Sequence, residues 1–262
     1  MEGNRTAPTG KQALVKTTSR LSSTNCSRGT RGPRTHRFEA DARKAVEFLG
    51  LEWSPIAAKF SAHSEGTGDS SRKLAICEAL DVAKSENLVL SLSKVNCSCF
   101  GGKHFTGLEI IPVETLASAL TKENHRIFES KDAALASIRK QPQPVKRGEF
   151  LSLGPLEKFA KDPDLVFLFV NPAQADIMLG LLSFRGAEPF TYYPASNICS
   201  TITNVLAKNR PEINLIAPFE RTARKWSVNE LILAMLFKDF EEAIENISKS
   251  AYGSFGTIPT EN

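Results

Sequence analysis

An apolar stretch, Asn87-Leu-Val-Leu-Ser-Leu92, leads into the turn Val95-Asn-Cys97-Ser-Cys99-Phe-Gly101-Gly102-Lys-His104. The turn holds two of the chain's five cysteines, a Gly-Gly pair and one of its four histidines. Ligands of α/β proteins collect where strands end, because unpaired backbone N–H groups and adaptable glycines are found there. The stretch therefore predicts a buried strand that ends at a ligand-binding turn.

Strand and helix patterns alternate on both sides of this stretch, which favours an α/β fold. Predicted strands cover residues 55–60, 87–92, 107–111, 149–153, 164–170 and 213–217. Predicted helices cover residues 38–49, 70–83, 113–120, 131–139, 171–182, 196–206, 227–235 and 238–250. The strand at 164–170 is the most apolar of these, so we expect both of its faces to be buried.

The pattern contains a weak internal repeat. In each half a strand is followed by a cysteine-bearing helix, a second strand and a turn, and Ala75-Ile-Cys77 matches Asn197-Ile-Cys199. We predict an α/β domain over residues 38–250, made of two similar halves at about 38–140 and 149–250. The halves would derive from an internal duplication and form one compact unit with a mixed sheet core.

Composition limits the classes of partner. The chain has 262 residues, of which 41% are hydrophobic and 24% charged, as in an ordinary globular protein with a substantial core. Its net charge of +4 comes from residues 1–37, which carry eight Lys or Arg against one acid and leave the rest at −3. The slightly acidic remainder predicts no nucleic-acid partner. No apolar run approaches the about 20 residues of a membrane span, so no membrane partner is predicted either.

The two ends of the chain lack a hydrophobic period. Residues 1–37 are rich in Ser, Thr, Arg, Gly and Pro and are predicted to be a disordered basic tail, either a targeting segment or a dispensable extension. Residues 251–262 are predicted to be a loose tail. Five cysteines, an odd number in a chain of this length, indicate reduced thiols and a cytoplasmic location.

Four cysteines could bind a metal or an iron–sulfur cluster, because thiolates are the soft ligands that such centres need. These candidate metal ligands are Cys77, Cys97, Cys99 and Cys199, and His104 could add a nitrogen. The spacing does not match a known zinc motif. Alternatively, Cys97 or Cys99 could be a nucleophile or redox thiol beside Lys103, or the cysteines could pack as small hydrophobic residues.

A second set of residues predicts contacts with a cofactor or other small-molecule ligand. Gly101 and Gly102 could bring backbone N–H groups close to an anion, although the P-loop and dinucleotide patterns are absent. Asn171 and Gln174 lie where a buried strand meets a helix N-terminus, and Arg224 could hold a carboxylate or phosphate. We expect one pocket at the strand ends, lined by the Cys97/Cys99 turn, Asn171, Gln174 and Arg224.

The order of several short motifs resembles a known family, domain of unknown function one-six-nine, found mainly in archaea and bacteria. The likeness spans about residues 42–250, and one departure is the segment Glu220-Arg-Thr222, where members often carry a cysteine before the Ala-Arg pair. The motifs are Ile76-Cys-Glu-Ala-Leu80 with Ala83, Cys99-x-Gly-Gly with Gly107-Leu108, Val170-Asn-Pro-Ala-Gln-Ala175, Cys199, and Ala223-Arg224 before Glu230-Leu231. The resemblance implies an α/β fold and no established activity.

Together these observations predict a cytoplasmic protein that binds a small-molecule cofactor or a metal or iron–sulfur centre at the Cys-x-Cys-x-Gly-Gly turn. Two alternatives stay open, a cysteine-dependent enzyme of small-molecule metabolism and a non-catalytic interaction protein with structural cysteines. Whether the chain is an enzyme, which cofactor it takes and how it oligomerises are not fixed by the sequence.

Overall fold

The computed structural model describes residues 34–68, 71–121, 128–186 and 197–254. Most of the predicted basic tail, including Cys26, and the last residues of the predicted C-terminal tail lie outside these ranges. The first helix begins at Arg34, ahead of the predicted start of the fold at Phe38. Within the described residues, no helix combines the length and the apolar character needed to cross a membrane.

The described residues form a series of helices and strands. The helices are α1 (Arg34–Leu49), α2 (Ile76–Ser85), α3 (Phe100–Thr106), α4 (Val113–Leu120), α5 (Lys131–Arg139), α6 (Pro172–Ser183), α7 (Ile198–Lys208), α8 (Pro218–Arg224) and α9 (Phe237–Asn246). The strands are β1 (Ile56–Ser61), β2 (Leu90–Ser93), β3 (Phe150–Pro155), β4 (Leu165–Val170), β5 (Glu212–Asn214) and β6 (Leu231–Leu236). The predicted α/β class is therefore confirmed.

The six strands form one sheet in the order β2-β3-β1-β4-β6-β5, and every neighbouring pair is antiparallel. This differs from the expected mixed sheet. The helix α2 does carry the chain from β1 to a parallel strand β2, but β3 then inserts between the two. The pattern of β4, β5 and β6 is the same, with β6 inserted between β4 and β5.

The two halves of the sheet thus share one strand order. In each half the first strand is central, the third is next to it and the second is at the edge. β3 lies in the predicted second half, residues 149–250, yet it pairs with β1 and β2 of the first half. The common order agrees with the predicted repeat, and the internal duplication itself stays a prediction.

The core is divided between the two faces of the sheet. Alternate residues of β4 face opposite sides, with Phe167 in one buried cluster and Leu168 in the other. Helices α2, α3, α4, α5 and α7 cover the first face, and α1, α6 and α9 cover the second. Because both faces are covered, β4 is apolar at every position, as predicted for its segment.

Two predicted elements are wrong. Residues 231–236 form strand β6 instead of the end of a helix, and residues 107–111 form a connection instead of a strand. Gly107 ends α3 with a φ of +74°, a conformation that favours glycine. β6 is apolar at every position and pairs with β4 along its whole length, so its sequence has no two-residue period to reveal it.

The assignment of β6 predicts that substitutions at Ile232 and Val228, four positions apart, differ in their effect on stability. Ile232 is fully buried, whereas Val228 is 81% exposed. Ile232→Ala should lower the free energy of unfolding by about 2–5 kcal/mol because it opens a cavity in the core. Val228→Ala should change it by less than about 0.5 kcal/mol, as surface substitutions usually do. Equal losses in urea unfolding would contradict this packing.

Candidate thiol site

The cysteine turn is fixed by hydrogen bonds on both sides. The Asn96 side chain accepts from the Ser93 backbone N–H at 2.7 Å, which closes the turn after β2. The backbone of Ser98 donates to Leu74 O at 3.0 Å, and Leu74 donates to Asn96 O at 3.1 Å. The turn is therefore held against the segment that leads into α2, which brings Cys77 towards it.

The turn ends as the N-terminus of α3. Cys99 is the N-cap, and its Sγ accepts a hydrogen bond from the Gly102 N–H at 3.4 Å. Cys97 is 2% exposed, and its thiol contacts the Cys99 carbonyl at 3.8 Å. The Cys99 sulfur thus caps α3 by accepting from the Gly102 N–H. Close contacts with Ile76 and Cys97 explain why residue 102 is a glycine, without an anion.

Three of the four predicted cysteines line one cavity of about 390 Å³, which we name the thiol cavity. Cys77 comes from α2, Cys99 from the start of α3 and Cys199 from α7. Cys97 lies beside Gly102 and does not line the cavity, and all four are free thiols. The rest of the wall is mostly apolar and includes Gly101, Phe100, Phe105, Leu116, Leu120 and Phe219.

Burial favours the protonated form of Cys77, Cys97 and Cys199. It raises the pKa of Cys97 to about 11, and it raises those of Cys77 and Cys199 as well. For Cys199, the neighbouring cysteines and Glu220 add to the increase in pKa, because a second negative charge nearby is unfavourable. Neutral thiols of this kind are weak nucleophiles at neutral pH.

Arg224 is the cation beside the thiols. Its Nη2 donates to Cys77 Sγ at 3.3 Å and lies 3.4 Å from Glu78 Oε1. Its buried Nε has no hydrogen-bond partner among the described residues. The guanidinium lowers the pKa of Cys77, although burial outweighs this effect.

Glu220 is a functional candidate that sequence reasoning missed. It lines the thiol cavity from α8, it is 6% exposed, and its Oε2 has no partner in the described part of the chain. Burial raises its pKa to about 7, against opposing hydrogen bonds with the backbone of Ala217 and Ile198. The only signal in the sequence was its position in the segment before Ala223-Arg224.

No preformed metal site is present in the described ranges: no group of three or more His, Cys, Asp or Glu side chains there is arranged to hold an ion. His104, predicted as an extra ligand, is 2% exposed and does not line the cavity. Its Nδ1 accepts from the Ile111 N–H at 3.3 Å, and burial lowers its pKa.

The other predicted residues lie at a different cavity. Asn171 and Gln174 line a space of about 510 Å³ that shares no residue with the thiol cavity. The two side chains form a capping box at the start of α6, with bonds of 2.9 and 2.8 Å to each other's backbone N–H. Gln174 also donates to Leu49 O and Gly50 O, so its amide is fully used in the fold. The sequence predicted one pocket, and the structure contains two.

Fold and site define an α/β protein with an antiparallel sheet, helices on both faces and a cavity lined by thiols and a carboxyl group. Residues 45–246 match the family DUF169, described as "Uncharacterised ArCR". The chain belongs to this family, which confirms the resemblance. No curated protein and no solved structure matches the chain.

The two glycines after Cys99 predict opposite responses to alanine. A methyl group on Gly102 would lie 3.0 Å from Ile76 Cγ1 and 3.1 Å from Cys97 Sγ, both buried. Gly102→Ala should therefore lower the free energy of unfolding by about 1–3 kcal/mol. On Gly101 the nearest atom is Cys99 Sγ at 3.8 Å. Gly101→Ala should be neutral or stabilising by up to about 1 kcal/mol, since alanine favours helix. A tolerated Gly102→Ala would contradict this packing.

The raised pKa of Glu220 predicts a pH-dependent stability. The Glu220 carboxyl group binds its proton more tightly in the folded protein, where its pKa is about 7, than in the unfolded chain, where the pKa has its usual value of 4.5. Its contribution is complete below pH 4.5 and is lost as the pH rises through about 7. Relative to Glu220→Gln, the wild type should lose about 3 kcal/mol of unfolding free energy across this window. Chemical unfolding of metal-free protein at several pH values measures the difference, and Glu47→Gln controls for loss of an exposed carboxylate. Parallel curves for wild type and Glu220→Gln would refute the shift.

Proposed function

We propose that this protein binds a thiolate-ligated cofactor in the thiol cavity, either an iron–sulfur cluster or a small ligand that carries a soft metal. The observation that carries the proposal is the convergence of Cys77, Cys99 and Cys199 from three separate segments on one cavity. Cysteine thiolates select soft metals and iron–sulfur clusters. Free thiols at such a site need a reducing compartment, so the proposal includes a cytoplasmic location.

The size of the cavity favours an occupant larger than a single ion. Its volume of about 390 Å³ lies within the range of sites for small molecules, about 300–1,000 Å³. The thiols line this volume without forming a compact group around one point. A polynuclear cluster or a metal-bearing cofactor fits this arrangement, and the apolar wall would exclude water from it.

The protonation of the site makes binding depend on pH. The thiols must lose their protons to act as metal ligands, and burial has raised the pKa values of Cys77, Cys97 and Cys199. Glu220 could supply an oxygen ligand once it ionises near its pKa of about 7. Affinity should therefore increase as the pH rises through neutrality.

One observation favours the alternative of a cysteine-dependent enzyme. A carboxyl group whose pKa is near the working pH is a suitable general base, and Glu220 shares the cavity with Cys99 and Cys199. The raised pKa of Cys199 argues against a nucleophilic role for that thiol. We therefore place cofactor binding first.

The decisive experiment is anaerobic reconstitution of the full chain with ferrous iron and sulfide, with zinc and with copper(I) in parallel. The wild type should retain a stoichiometric centre after desalting, seen by metal and sulfide analysis and by its absorption spectrum. Cys77→Ser and Cys199→Ser should each lose most of the bound metal. Cys26→Ser removes a thiol that is not among the proposed ligands and should bind like the wild type.

Two results would count against the proposal. A wild type that retains none of these metals would exclude an iron–sulfur cluster and a directly bound zinc or copper centre. Equal retention by Cys77→Ser, Cys199→Ser and Cys26→Ser would place any bound metal elsewhere. In the first case the next measurement would be thiol alkylation kinetics in wild type and Glu220→Gln, where a slower rate in the variant would support the enzyme alternative.

A further inference from the structure

The second cavity is built around a buried lysine. Lys84 Nζ lies 5.3 Å from the ring centroid of Trp53, 4.4 Å from that of Phe169 and 5.2 Å from that of Trp226. Its side chain is only 6% exposed, and Glu230 Oε1 lies 3.3 Å from the ammonium group. All five residues line the cavity of about 510 Å³, which we name the tryptophan cavity.

The position of Lys84 determines whether the cavity favours a cationic or an anionic ligand. Three aromatic rings around a cation form the kind of cage that binds ammonium ligands, but here the protein's own Lys84 fills it. A ligand cation would have to displace a paired, buried lysine. A ligand anion would instead accept a charge-assisted hydrogen bond, because the ammonium group has three N–H donors and Glu230 takes only one acceptor position.

Other groups at the cavity agree with an anion. The N-terminus of the twelve-residue helix α6 lies at the wall through Asn171 and Gln174. Its capping box already bonds the Gln174 N–H, so this end contributes the helix dipole, which favours negative charge. Lys225 adds an exposed cation. Two carboxylates also line the cavity: Glu230 is paired with Lys84, and Glu52 is exposed.

We propose that the tryptophan cavity binds a small organic anion that carries a planar ring. The anionic group would lie between Lys84 and the start of α6, and the ring would pack among Trp53 and Trp226. Aromatic side chains provide apolar contact area for a flat ligand, and the volume is sufficient for one. This site is separate from the thiol cavity and does not depend on the cofactor proposed there.

The chain offers a direct readout, because its only two tryptophans both line this cavity. We would titrate the full-length protein with benzoate and with adenosine monophosphate, an aromatic carboxylate and a nucleotide, and record tryptophan fluorescence. Benzamide and adenosine serve as the matched neutral ligands. We expect a saturable change with at least one anion and a dissociation constant at least about tenfold weaker for its neutral partner.

A variant assigns the effect to the lysine. Lys84→Met keeps the length of the side chain and removes its charge, and it should weaken binding of the anion by about tenfold or more. Lys84→Arg keeps the charge, and Lys94→Met removes an exposed lysine that does not line the cavity. Lys94→Met should bind like the wild type.

The outcomes separate clearly. The proposal is supported if the wild type binds an anion saturably, the matched neutral ligand binds much more weakly, and Lys84→Met weakens binding of the anion. No saturable response to either anion overturns it, and so does equal binding of the charged and neutral ligands. If Lys84→Met fails to fold, the comparison of benzoate with benzamide on the wild type still decides, since it needs no variant.

Discussion

One set of contacts positions both cavities: the last residue of α8 and the segment that connects α8 to β6 are attached by side chains along one face of α2. The attachment points are about one helical turn apart, so they lie on one side of the helix. The contacts are Arg224 to Cys77 at 3.3 Å, Trp226 Nε1 to Asp81 at 2.6 Å, and Glu230 to Lys84 at 3.3 Å. One end of this row reaches the thiol cavity, and the other forms the wall of the tryptophan cavity.

The polar members of this row determine position more than stability. Lys84 and Arg224 have side chains that are 6% and 16% exposed, and each is matched by a glutamate. The free energy needed to remove such charges from water is nearly as large as the free energy gained from their attraction. A purely apolar contact between the segment and α2 could slide, whereas these directional pairs fix which residue of the segment faces which turn of the helix. The aromatic rings around Lys84 restrict it further.

Local patterns in the sequence predicted the elements well, because apolar periodicity and turn residues are local properties. β1, β2, β3 and β4 all lie where predicted, and three of the four candidate cysteines, Cys77, Cys99 and Cys199, line one cavity. The order of the strands was beyond this reasoning, since the insertion of β3 between β1 and β2 depends on contacts between distant residues. For the same reason Asn171 was assigned to the pocket of the cysteines, although it lines the tryptophan cavity with Lys84. Glu220 was missed because burial, which the sequence does not show, gives it its chemistry.

The protonation state of the thiol cavity also bears on which metals it could select. The cavity combines thiols whose pKa values are raised by burial with a carboxyl group whose pKa is about 7. A metal that enters must displace these protons, and hard cations such as Mg²⁺ gain too little from sulfur to do so. Soft metals form strong bonds with thiolate and can compensate for the cost of deprotonation. Arg224 reduces part of this cost, because its contact with Cys77 favours the thiolate that the metal requires, although burial outweighs its effect on the pKa of Cys77. The burial of the thiols would therefore make the site selective against the abundant hard ions of a cell.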